Sequence, residues 1–204
     1  MKRFTLLALL AFLALPLAAF ANSIDTTNSG GMLSGNTAGM SLASSNLIAV
    51  GFNGGSPITG TPSLGSVTFS TGTLSSGSLQ MGGTFNGGGS FVITSTGASG
   101  LPSGTLFNGS FTGPVTWTLV TLSNGTHNYI LIGAVSGTWI NGATVFGATT
   151  QLTINTGRGF FNGTTSISSG DTNIVTSVPE PGTLGLLGTG LVGIAGAMHR
   201  KFKS

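Results

Sequence analysis

The chain has 204 residues, of which 39% are hydrophobic and only 4% are charged, with 36 glycines and no cysteine. Average cytosolic domains and charged disordered chains both carry many more ionic side chains, so this composition excludes both classes. Thirteen phenylalanines, two tryptophans and one tyrosine supply enough apolar surface to build a core.

The charged residues are concentrated at the two ends of the chain. Between residues 22 and 177 the formal charges are Asp25, Arg158 and Asp171, which give this body a net charge of −1. The basic sequence pI of about 10.0 therefore belongs to the ends. A nucleic-acid partner needs several cations on one face, so we predict that the body binds no nucleic acid. The basic residues are Lys2, Arg3, Arg158, Arg200, Lys201 and Lys203.

Residues 1–21 have the pattern of a secretory signal peptide. Lys2 and Arg3 precede the apolar stretch Phe4–Phe20, and Ala19 and Ala21 are the small residues that signal peptidase recognises. We predict cleavage after Ala21 by signal peptidase. An amino-terminal helix that stays attached is the alternative, which the cleavage site disfavours.

The segment 22–45 is rich in Ser, Thr, Asn and Gly without clear alternation. This composition predicts a flexible arm or an edge segment. We expect an all-β domain over residues 46–170, followed by a linker over residues 171–177 that spaces the domain from the membrane.

Five short runs in the body alternate apolar with polar residues and are rich in β-branched and aromatic side chains. A period of two is typical of half-buried strands. We therefore predict an all-β fold, either an antiparallel β-sandwich or a barrel-like domain. Helix is confined to an amino-terminal signal helix and a carboxy-terminal transmembrane helix. The runs are Val67–Ser70, Ser90–Thr94, Val115–Leu119, Asn128–Ile132 and Gln151–Asn155.

Asn-Gly pairs recur through the body and predict tight hairpin turns, because both residues tolerate positive φ. Four of the six pairs follow a phenylalanine, but at irregular spacing, which favours strand ends over a binding repeat. Edge strands without charges lack the usual protection against edge pairing, so self-association is a hypothesis. The pairs begin at Asn53, Asn86, Asn108, Asn124, Asn141 and Asn162, and the phenylalanines are Phe52, Phe85, Phe107 and Phe161.

The body offers few groups for chemistry: His127, Asp25 and Asp171, with no cysteine or glutamate. A hydrolase needs a base with an orienting acid or a pair of carboxylates. His127 follows Asn124-Gly125-Thr126, and we expect it to be a solvated turn histidine. We predict that the protein is not an enzyme and has no cofactor and no metal site. Calcium is the metal that the sequence excludes least, because carbonyl and Asn oxygens can supplement Asp171 and Asn173 as ligands.

The stretch Thr183–Met198 contains no charged residue and is followed by a basic end. Its sixteen residues make a helix of about 24 Å at 1.5 Å per residue, which spans the roughly 30 Å hydrocarbon core with help from flanking residues and local thinning. We predict a transmembrane helix that holds the body outside the inner membrane. The positive-inside rule places Arg200, Lys201 and Lys203 in the cytoplasm.

Just before this stretch lie Val178, Pro179, Glu180 and Pro181. This motif, the apolar segment and the basic end together resemble the PEP-CTERM sorting signal of Gram-negative bacteria, which the membrane protease-transpeptidase exosortase recognises. The resemblance covers residues 178–204. It implies that Pro179, Glu180 and Pro181 form the recognition element, that exosortase is a partner, and that the tail is an address and a possible cleavage site. An ordinary membrane anchor is the alternative.

Two functional classes remain. The resemblance favours a structural or adhesive component of the cell surface or extracellular matrix, associated with exopolysaccharide. The alternative is a carbohydrate-binding module in which Trp117, Tyr129 or Trp139 stacks on sugar rings from an exposed sheet face. Core packing is the competing interpretation of these aromatic residues, because Trp117 and Tyr129 lie in strongly apolar runs.

Overall fold

The computed structural model describes residues 22–176. The signal peptide predicted at 1–21 and the sorting segment predicted at 178–204, with its transmembrane helix and basic end, lie outside the described residues. Within residues 22–176, no helix has the length and apolar character needed to cross a membrane.

The described body is built from antiparallel strands. A 3₁₀ turn covers Ala98–Gly100. The strands are β1 (Asn22–Ser29), β2 (Met32–Asn36), β3 (Gly39–Phe52), β4 (Ile58–Thr59), β5 (Gly65–Ser70), β6 (Leu74–Ser78), β7 (Gly82–Phe85), β8 (Gly88–Thr96), β9 (Ser103–Phe111), β10 (Val115–Thr121), β11 (His127–Trp139), β12 (Thr144–Asn155), β13 (Thr164–Ser166) and β14 (Ser169–Thr176).

Eight of these strands close into a barrel. They follow the order β12-β14-β1-β3-β5-β8-β9-β11, and β11 pairs again with β12. The all-β prediction is confirmed, and of the two predicted architectures the fold is the barrel. Closure leaves these eight strands without a free edge along the main ladder.

All five predicted strands are present, in β5, β8, β10, β11 and β12. In β5 the alternation turns Val67 and Phe69 into the core. Four phenylalanines pack edge to face or stacked in the interior, with ring centroids 5.6–6.2 Å apart, so side chains fill this part of the barrel. They are Phe69, Phe91, Phe107 and Phe111.

The long strand β11 has two partners along one side. Its first half pairs with β10, and its second half, from Val135 to Trp139, pairs with β9. Beyond β10 the sheet continues through β7 to β6. The short strands β2, β4 and β13 attach to β3 or to one another. The barrel thus carries a side sheet that ends at β6.

The prediction of a flexible arm or edge segment at residues 22–45 is wrong. Strand β1 is hydrogen-bonded on one side to β14 and on the other to β3. The inward positions of β1 are Ile24, Thr26 and Asn28, all buried. Because two of these three inward residues are polar, the residues of β1 do not alternate between apolar and polar, and the strand cannot be predicted from hydropathy. Asn28 satisfies its amide by donating to Ser45 Oγ at 2.7 Å.

The prediction of a linker at residues 171–177 is also wrong, because residues 171–176 belong to β14. Thr172 and Ile174 face the interior, while Asp171, Asn173 and Val175 face outward. The last strand of the barrel therefore occupies the place of the expected spacer.

Three of the Asn-Gly pairs make the predicted turns. Asn53 and Gly54 both adopt positive φ, 52° and 69°. Asn124 Oδ1 accepts a hydrogen bond from the Thr126 amide at 3.0 Å, and Asn141 Oδ1 accepts one from the Ala143 amide at 2.9 Å. These side chains cap their own turns.

The turn predicted at Asn108-Gly109 is wrong, because both residues lie inside β9. A Cβ atom on Gly109 would collide with the Ser136 carbonyl of the paired strand β11. The glycine here serves close strand approach and not a turn.

We predict that Ile174→Ala lowers the free energy of unfolding by about 2–5 kcal/mol, because it removes buried atoms from the closing strand. The control Val175→Ala, on the outward face of the same strand, should change it by less than about 1 kcal/mol. Urea unfolding followed by tryptophan fluorescence measures both. Equal, small effects would mean that these residues form a spacer after all.

Candidate functional site

The aromatic residues predicted to stack on sugars are inside the protein. Trp117 is 1% exposed and Tyr129 is fully buried, and their rings stack with centroids 4.7 Å apart. Trp139 is 6% exposed. The glycan-stacking prediction for these three residues is wrong, and their core-packing interpretation is confirmed.

The polar atoms of this pair explain how two large aromatic residues become buried. Trp117 Nε1 donates to the Leu79 carbonyl at 2.8 Å, and Tyr129 OH donates to the Gln80 carbonyl at 2.6 Å. The same hydroxyl accepts a hydrogen bond from the Phe161 amide at 3.1 Å. The pair therefore fastens the β6–β7 turn and the segment after β12 to the side of β10 and β11.

His127 is buried, so its prediction as a solvated turn residue is wrong. It is the first residue of β11, and its ring stacks on Phe160 with centroids 4.4 Å apart. Its Nδ1 lies 3.1 Å from Thr121 Oγ1. The histidine therefore acts as a packing residue whose polar partner is a hydroxyl, not a carboxylate.

The two carboxylates of the body lie on the outer face of the seam between β1 and β14. Asp171 Oδ1 accepts a hydrogen bond from Thr27 Oγ1 at 2.9 Å. Asp25 Oδ1 accepts one from Asn173 Nδ2 across the same strand pair. Asp25 lies on β1 and Asp171 on β14, whereas His127 lies on β11. Among residues 22–176 no group of three or more His, Cys, Asp or Glu could hold a metal ion.

Both ends of the described body meet on adjacent strands. β1 begins at Asn22, the residue after the predicted cleavage at Ala21, and Asn22 pairs with Thr176, the last residue of β14. We call this end of the barrel the tail end. It also carries the segments 53–64, 97–102 and 140–143, which connect strands there.

The tail end exposes apolar side chains that sequence reasoning missed. Phe146 is 68% exposed and lies in the bulge of β12 that follows the Val145–Thr176 pair, and Val175 of β14 is 42% exposed. Ile140 is exposed in the turn between β11 and β12, and Phe52 is exposed where β3 ends. The period-two pattern does not predict this surface, because the bulge between Val145 and Thr149 interrupts the alternation.

The comparisons with known proteins identify the segment that follows this end. A family model described as a PEP-CTERM protein-sorting motif matches residues 177–201, starting directly after β14. No curated protein and no solved structure matches the chain. A motif of this kind implies export and sorting at the membrane of Gram-negative bacteria.

More particularly, the chain carries a PEP-CTERM sorting motif, and exosortase is its processing partner. The match confirms the resemblance found on Val178, Pro179, Glu180 and Pro181. It covers this segment and not the barrel.

We predict that Tyr129→Phe lowers the free energy of unfolding by about 1–3 kcal/mol, because the Gln80 carbonyl and the Phe161 amide lose their shared partner. Thr118→Val is the control, since it removes a hydroxyl from an exposed position on the neighbouring strand β10. Urea unfolding compares the two variants. Equal unfolding energies would contradict a bridging role for the tyrosine hydroxyl.

Proposed function

We propose that the protein is a non-catalytic structural or adhesive component of the cell surface or extracellular matrix, associated with exopolysaccharide. One observation carries this proposal: the sorting motif at residues 177–201 directly follows the last strand of a closed barrel. The chain presents a compact β-domain at the point where exosortase acts.

The chemistry of the described residues supports a non-catalytic role. A nucleophile or general base needs a positioned partner. His127 is packed between Thr121 and Phe160, while Asp25 and Asp171 already accept hydrogen bonds from neighbouring strands. These three residues do not converge on one pocket, so they support no acid–base pair.

We further propose the order of processing. Signal peptidase cleaves after Ala21 during export, and the apolar stretch 183–198 then holds the chain in the inner membrane. Arg200, Lys201 and Lys203 stay on the cytoplasmic side. Exosortase reads Pro179, Glu180 and Pro181 and releases the body from the tail. The place of Asn22 in β1 supports the first step, since cleavage after Ala21 keeps every described residue of this strand in the mature chain.

Self-association is part of this proposal for a structural component. The side sheet ends at β6, a strand of five residues that contains no charge and is hydrogen-bonded to β7 on one side. An uncharged edge of this kind is where a second copy would add a strand.

We predict that Glu180→Gln makes the processed protein a minor species, because the variant removes the one carboxylate of the recognition element while keeping its shape. Asp171→Asn is the matched control, since it removes an exposed carboxylate nine positions earlier on β14. Mass spectrometry of surface and membrane fractions measures the carboxy terminus of each variant. Normal processing of Glu180→Gln would show that the motif is not read through its charge.

The carbohydrate-binding alternative would need aromatic residues other than the buried three. Phe160 and Phe146 are the most exposed aromatic side chains of the described residues. Phe160 lies against His127 at the barrel end opposite the tail end. Under the carbohydrate-binding alternative, the sugar-binding face would lie around Phe160.

We expect no sugar-ring recognition by this face. In a pull-down with the producing bacterium's exopolysaccharide, Phe160→Ala should retain as much polysaccharide as Leu122→Ala, which shortens an exposed side chain without removing a ring. Loss of binding in Phe160→Ala alone would favour the carbohydrate-binding module over the structural role.

A further inference from the structure

We propose that the tail end of the barrel is a lipid-contacting surface, which lies on the headgroup layer of the membrane while the sorting tail is uncut. The partner is the bilayer surface itself. The inference rests on the proposed function in one respect, because it needs the apolar stretch 183–198 to be in the membrane.

The first argument is the covalent reach of the chain. β14 ends at Thr176, and the apolar stretch begins at Thr183, so six residues separate the barrel from the hydrocarbon. Six residues span at most about 20 Å when fully extended, and part of that length crosses the headgroup layer. The finding that residues 171–176 form a strand removes the spacer that would have held the domain away.

The second argument is the chemistry of the surface. The segments 53–64, 97–102 and 140–143 contain no charged residue, so lipid contact desolvates no ion there. Phe146 on β12 and Val175 on β14 are exposed, and each is next in sequence to a member of the Val145–Thr176 pair at the last described residue of β14. Arg158, by contrast, is exposed near His127 at the opposite end.

The third argument is the tether. An apolar patch of a few side chains binds a membrane weakly by itself, but a short tether turns the contact into an intramolecular event with a high effective concentration. The contact therefore depends on the uncut tail. Cleavage beyond the motif removes the tether. The apolar patch alone then binds the lipid too weakly to hold the barrel at the membrane.

The absence of cysteine allows a direct test with single-cysteine labels on the full, uncut chain. Ile140→Cys reports on the tail end, and Leu122→Cys, at a turn of similar exposure, reports on the opposite end. Leu191→Cys reports on the tail. Each variant carries a fluorophore and is reconstituted into phosphatidylethanolamine and phosphatidylglycerol vesicles with a lipid-borne quencher and no exosortase.

We expect several-fold stronger quenching at positions 140 and 191 than at 122. Adding Phe146→Ser and Val175→Ser to the Ile140→Cys chain should weaken quenching at 140, whereas the control Met81→Ser should not. Unchanged quenching in the double variant would attribute the signal to the short tether and overturn the lipid contact.

The remaining outcomes separate this inference from the proposed function. Quenching at 191 with none at 140 rejects the lipid contact and keeps the anchor. No quenching at 191 rejects both the anchor and the contact.

Discussion

The pairing of the first strand with the last closes the barrel. β14 lies between β12 and β1, and the residues that meet across the seam are far apart in the chain, as Asp25 and Asn173 are at 148 positions. Without β14, both neighbours would expose a row of unpaired backbone groups to water. The interior would also open beside Ile24 and Ile174. The closed barrel therefore depends on the pairing of β1 with β14.

The strands on both sides of the seam carry buried polar side chains that are hydrogen-bonded in pairs. Thr150 and Thr172 join their hydroxyls at 2.9 Å, and Asn28 donates to Ser45 Oγ. In the described residues, no buried side-chain nitrogen or oxygen lacks a hydrogen-bond partner. These pairs form only in one register, because a shift by one residue would turn them outward and leave their partners unsatisfied. The phenylalanine cluster supplies burial elsewhere in the barrel. The Thr150–Thr172 pair fixes the alignment of the last strand with β12, and the Asn28–Ser45 pair fixes that of the first strand with β3.

The contrast between an apolar core and polar pairs beside the seam explains which strands can be predicted from the sequence. β5, β8 and β12 alternate β-branched or aromatic residues with polar ones, so their pattern is visible locally. β1 and β14 use threonine and asparagine at inward positions, and those residues are identified as core only once their partners are known. His127 was assigned to the surface for a similar reason, because its cover, Phe160, lies on a distant segment.

The sorting motif and the tail end differ in the same way. The motif is contiguous, so residues 178–181 and the segment after them were sufficient to find it. Phe146 and Val175 come to the same end of the barrel only through the pairing of Val145 with Thr176, and no local pattern links the two exposed residues. The contiguous motif can therefore be predicted from the sequence, whereas the exposed surface of the tail end cannot, because strand pairing assembles it from distant segments.

The boundary between β14 and the motif has a mechanical consequence for processing. The described strand pairing of the barrel reaches Thr176, and the matched motif begins at residue 177. A cut beyond Pro181 therefore keeps every described ladder hydrogen bond and leaves both neighbours of β14 paired. A cut a few residues earlier would shorten the strand that closes the seam and destabilise the whole domain. Because β14 is the last described strand in chain order, it can pair with β1 only after strands β2 to β13 have been synthesised. The order of strands in the chain therefore makes β14 both the strand that closes the barrel and the strand that precedes the motif.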